Sequence, residues 1–204
     1  MGKGNTLGEG ENMTFRKGLL AIVGIMCCVA AVRAEVRVSE RSPNAKVWRK
    51  LYAAIPEKWQ TDREIVVEEV SGAELRRIAA ESEDTEPQDE ESDETDIDGC
   101  YQNSGVKEPI RIFIRETLRG ETAELVFLHE YAHFIWDEFV TPDEQELYTK
   151  VWREQRRSKR LVTEYAATSV EEGFADSLSY ALRKSKYLKQ RDPRSARFME
   201  RLME

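Results

Sequence analysis

An α+β fold is the expectation, with a small, partly antiparallel sheet in front and a helical half behind it. Three observations lead there. Strand-like runs lie between residues 63 and 116, long helical runs follow from residue 121, and four Trp, seven Tyr and seven Phe suffice for a core. The 204 residues fit one domain of ordinary size, or one domain and a tail. With 40% hydrophobic residues, neither a wholly disordered chain nor a multi-pass membrane protein is expected. Thirty-one basic against 39 acidic residues also argue against a nucleic-acid binder, which needs a basic surface to displace counterions.

Residues 1–34 read as a signal peptide. Arg16-Lys17 precedes an uncharged run from Gly18 to Val32, and Val32-x-Ala34 supplies a small-residue cleavage site. The run is short for a spanning helix, which needs about 20 apolar residues. Export is therefore expected, to the outside or to the periplasm and cell envelope, with a membrane contact only if the segment is kept as an anchor. Cutting after Ala34 removes four basic and two acidic residues, leaving 27 against 37. Cys100 is then the last cysteine, so no intrachain disulfide can form.

Residues 35–80 are expected to form the N-terminal part of the domain. Val47, Leu51 and Ile55 mark a helix over 44–54 stopped by Pro56, and Ile65-Val66-Val67 marks a strand within 63–70. A further helix over 71–80 opens on Ser71, with Glu74 placed for a capping box. Residues 81–98 break the pattern. They hold eleven acids, no Lys or Arg and one aliphatic residue, Ile97, and read as a solvated, disordered acidic loop. The rest of the mature chain is nearly neutral, 26 acids against 27 bases.

Residues 99–204 carry the chemistry. Strands are expected over 99–102 and 109–116 around an Asn103-Ser104-Gly105 turn. Ile110, Ile112 and Ile114 alternate there with Arg111, Phe113 and Arg115, the period of a half-exposed strand. Helices follow over 121–136, over 142–157 with Leu147, Val151 and Trp152 on one side, over 169–183, and from 194 onward.

The helix over 121–136 contains His129-Glu130-Tyr131-Ala132-His133, and these are the chain's two histidines. Residues four apart share a helix face, so both imidazoles can reach one cation. Glu130, at the edge of that face, is placed to take a proton from a metal-bound water without being a ligand. One zinc per chain is the expected cofactor, since imidazole and carboxylate ligands with an open water position define a hydrolytic zinc site. The third ligand must be a carboxylate. Glu172 and Asp176 lie four apart at the start of a later helix. One can bind metal while the other orients a ligand histidine through its far nitrogen. Spacing alone equally allows that both merely decorate a helix N-terminus, where negative charge is favoured.

His129-Glu130-x-x-His133, followed 39 residues later by Glu172-x-x-x-Asp176, resembles the gluzincin metallopeptidases. Thr163-Glu164-Tyr165-Ala166 with Glu172-Gly173-Phe174-Ala175-Asp176 resembles, more specifically, the anthrax lethal factor type of peptidase domain. The likeness covers residues 99–183 and, more weakly, 193–202, with Asp176 standing where the family usually has glutamate. It implies a zincin-like fold and Glu172 as third ligand. It also implies that Tyr165, seven residues before Glu172, assists the reaction by donating a hydrogen bond to the oxyanion.

A secreted zinc metalloendopeptidase with Glu130 as general base is the resulting expectation, acting on a peptide or protein. By analogy with that family's fold, the 110–115 strand is expected at the sheet edge beside the cleft, with Arg111 or Arg115 meeting acidic substrate side chains. The alternative is an exported zinc-binding interaction protein or inactive relative. Glu130 weighs against it, because a purely structural site has no use for a base.

Overall fold

A computed structural model describes residues 36–38, 42, 44–82 and 97–204. The expected signal peptide, 1–34, and residues 83–96 of the acidic run lie outside them. Among the described residues the fold is α+β, a four-stranded mixed sheet with seven helices. None of these helices is long and apolar enough to cross a membrane.

The chain runs β1 (Val36–Val38), α1 (Ala45–Ala54), β2 (Ile65–Val70), α2 (Gly72–Ser82), β3 (Gly99–Asn103) and β4 (Ile110–Arg115). It continues with α3 (Gly120–Glu138), α4 (Pro142–Arg157), α5 (Val170–Arg183), α6 (Ser185–Arg191) and α7 (Pro193–Met203). The sheet order is β1-β2-β4-β3. β2 lies parallel to both β1 and β4, pairing Ile65 with Val36 and with Ile110. β3 runs antiparallel to β4, pairing Cys100 with Phe113.

Each sheet face is covered by helices, for reasons visible in its side chains. On one face Ile65, Val67, Ile110 and Ile112, fully buried, join the core built with α1 and α3. There Trp48 stacks on Phe127 at 5.3 Å between ring centroids, and Tyr52 meets Tyr131 edge-on at 5.6 Å. On the other face Leu75 and Ile78 of α2 pack on Phe113, with Cys100 half-buried beside them.

Phe113 therefore departs from the half-exposed pattern, because α2 covers the face on which Ile alternation alone would leave it. β4 is not the edge either: it lies between β2 and β3, and β3 holds the edge beside the helical half. Its arginines are engaged within the protein, Arg111 with Glu68 at 3.3 Å and Arg115 with the Ile97 carbonyl at 3.0 Å.

The capping box expected at α2 is half made. Glu74 N–H donates to Ser71 Oγ at 3.3 Å, while the Glu74 carboxylate accepts from Arg77 instead. A complete box stands at α4, between Thr141 and Glu144. That helix buries Tyr148, Trp152 and Gln155, which leaves Leu147 54% exposed, outside the face where periodicity puts it. β1 and α6 have no counterpart among the expected elements, being only three and seven residues long.

Candidate metal centre

The site joins α3 to α5. α3 is buried almost all round between Phe127 and Trp136, so the His129-to-His133 turn sits inside the protein with only its ligand face open. α5 begins at Ser169, whose hydroxyl accepts from Glu172 N–H at 3.1 Å and sets Glu172 in the first helical turn. Trp136 and Phe174, with rings 4.8 Å apart, lock the two helices together behind the ligands.

Three ligand atoms converge. His129 Nε2 and His133 Nε2 lie 3.2 Å apart, and Glu172 Oε2 lies 2.9 Å from the first and 3.5 Å from the second. A tetrahedral zinc with bonds of about 2.0–2.1 Å needs ligand atoms separated by about 3.3 Å. Among the described residues this is the one His/Cys/Asp/Glu group of three close enough to share a metal ion. The donors, two imidazoles and a carboxylate, fit zinc by chemistry as well as by spacing.

The neighbours of this triangle are arranged to serve it. Asp176 Oδ1 lies 2.8 Å from His129 Nδ1, so the ring that donates there turns Nε2 toward the ligand triangle. Glu130 is 7% exposed and lies outside the three-ligand set. Tyr165 sits in a short 3₁₀ turn, Tyr165–Ala167, with its ring 5.8 Å from that of His129 and 56% exposed. Glu171 points to solvent, and Asp137 is an exposed charge near the end of α3.

Electrostatics follow from packing acids around two rings. Burial opposes a charge on His129, but hydrogen bonds to Asp176 and Glu172 outweigh it, and its pKa is pushed up to about 10. Burial also acts against the Glu172 carboxylate, yet His129 and His133 hold it well below the usual carboxylate range. Glu130 is raised, chiefly by burial, with the two histidines opposing and Glu172 and Asp176 reinforcing. Burial and the Glu172 and Glu130 carboxylates raise the Tyr165 phenol.

Every candidate residue from the sequence, His129, Glu130, His133, Tyr165, Glu172 and Asp176, is brought to this one place. Others came unannounced. A Cβ on Gly99 of β3 would sit 2.4 Å from Glu130 Oε1, so the edge strand presses on the general-base candidate. The Tyr101 ring lies nearly parallel to that of His133, 6.4 Å away. Trp152 fills a slot over Gly173, where a Cβ would meet its Cδ1 at 2.4 Å, and donates to the Ala166 carbonyl at 2.8 Å. No sequence period marks these contacts, since each joins elements far apart in the chain.

No known family model matches the chain, and no curated protein matches it in sequence.

Proposed function

We propose that the chain is a zinc metalloendopeptidase of the gluzincin kind, exported and resembling the lethal factor type of peptidase domain, with a zincin-like fold. One observation carries the reading. Two histidines and a glutamate stand at tetrahedral ligand spacing, while Glu130, buried one residue beyond His129, stays outside the ligand set. A site built only for stability has no use for such a carboxylate.

His129, His133 and Glu172 would hold the zinc, which supplies Lewis acidity to a water and to a substrate carbonyl. Asp176 keeps the His129 ring in the tautomer that offers Nε2. Glu130 takes a proton from the attacking water and returns it to the leaving amine. The Tyr165 phenol stays protonated at neutral pH and donates a hydrogen bond to the developing oxyanion. An extended peptide adds to β3 rather than to β4, because β3 is the edge and its Gly99 and Tyr101 abut Glu130 and His133.

Glu130→Gln tests the reading. The variant is expected to bind zinc as the parent does and to lose peptide hydrolysis by a factor on the order of 10³. Hydrolysis that survives the substitution would sink the mechanism.

A further inference from the structure

Resting on that reading, we propose that Thr163 is a positioning residue that locks the Tyr165 turn to the carboxylate behind His129. Its hydroxyl has two partners. It donates to Asp176 Oδ2 and accepts from Ala166 N–H at 2.9 Å. Capping of a turn by a threonine three residues upstream is ordinary and would explain the second bond alone. The first bond is not local. It crosses to α5 and reaches the same carboxylate that holds His129 Nδ1 through its other oxygen.

The chain of contacts is continuous. Ala166 N–H meets Thr163, Thr163 meets Asp176, Asp176 meets His129, and His129 offers its remaining nitrogen to the ligand triangle. Both Asp176 oxygens are occupied, so the carboxylate cannot rotate without giving up one partner. The turn is held from its other side as well, because Trp152 Nε1–H donates to the Ala166 carbonyl at 2.8 Å. Tyr165 is the residue immediately before Ala166. Its seat beside His129 is therefore fixed through the backbone that Thr163 and Trp152 grip. One hydroxyl thus sets the aim of a metal ligand and the position of the proposed oxyanion donor.

The role predicts a paired defect. Thr163→Val, which keeps the shape and deletes the hydroxyl, should weaken zinc binding on the order of tenfold in competition with a chromogenic chelator. It should also lower kcat with KM little changed, and Thr163→Ser should restore both. In the metal-free chain, hydrogen exchange at the Ala166 amide should accelerate in the Val variant and return to normal in the Ser variant. Because Thr163 acts through Asp176, Thr163→Val added to Asp176→Asn should cost no further zinc affinity. If Val does not fold, Thr163→Ala deletes the same hydroxyl without placing a second methyl beside a carboxylate. Zinc affinity unchanged by loss of the hydroxyl, or losses that simply add in the double variant, would overturn the inference. A parent chain that binds zinc but cleaves no peptide would overturn the proposed function instead, leaving the zinc and exchange measurements to judge Thr163.

Discussion

Asp192 is a residue whose chemistry can be tested apart from any metal. It caps α7, accepting from Ser195 N–H at 3.0 Å, and also accepts from Gln155 Nε2. Burial raises its carboxyl above the ordinary range, with those hydrogen bonds opposing. Between the unfolded and the folded pKa the native state therefore holds a proton that the unfolded chain has released. Stability contributed by this group is present below the unfolded pKa, about 3.9, and is lost as pH rises through the folded value. Asp192→Asn keeps the cap and cannot ionise. Urea melts of the chelated protein should show the parent losing stability relative to Asp192→Asn as pH rises from 4 to 7, and parallel pH profiles would refute this. At the same scale, the six site residues were legible in the sequence for different reasons. His129 and His133 follow from helix periodicity alone, whereas the choice of Glu172 over Asp176 as ligand needed the family resemblance. Thr163 stood inside the quoted motif with no role, because a hydroxyl's partner across two elements leaves no spacing to read.

Among the elements, β3 borders the site that α3 and α5 build. Arg63, just ahead of β2, clamps its hairpin by donating to Asn103 Oδ1 and to the Gly105 and Glu108 carbonyls, each at 2.8 Å. Gly105 turns the hairpin at φ +124, a conformation open to glycine. At the far end of the strand Gly99 lies against Glu130. Gly99→Ala would put a methyl 2.4 Å from Glu130 Oε1 and 2.7 Å from Val126 Cγ1, and the carboxylate must swing away. A displacement near 1 Å can cost about 100-fold in rate. The variant should therefore lose kcat on that scale while zinc affinity, set by α3 and α5, stays within about twofold. Retained kcat would show that the contact does not position Glu130. Fold analogy puts β4 at the edge, and its alternating isoleucines mark a covered face but say nothing about neighbours in the sheet. The neighbour there is a β2 strand 45 residues upstream in register, and beyond β2 lies Val36–Val38, too short to stand out. The long helices, by contrast, were legible to within about two residues, since their periodicity is local.

For the whole molecule, the proposed ligands belong to two helices, α3 and α5, that pack on one another through Trp136 and Phe174, with Tyr148 of α4 against Phe174 at 5.4 Å between rings. An ion gripping both helices binds the folded chain far better than the unfolded one. If His129, His133 and Glu172 hold zinc as proposed, the ion at 100 times its dissociation constant adds about 2.7 kcal/mol. For a chain of this size that raises Tm by about 5–10 °C, measured with and without chelator. His133→Ala should show almost no such gain, and a parent Tm indifferent to zinc would remove the metal from the account. The order of the ligands along the chain adds something about how the site comes into being. A ribosome delivers His129 and His133 together and Glu172 only 39 residues afterwards. If the site holds a metal as proposed, the histidine pair alone offers it two ligands, and the third arrives only with α5. On that reading the ligand set is complete only once α5 has docked on α3, so capture of the ion would report on the packing of those two helices.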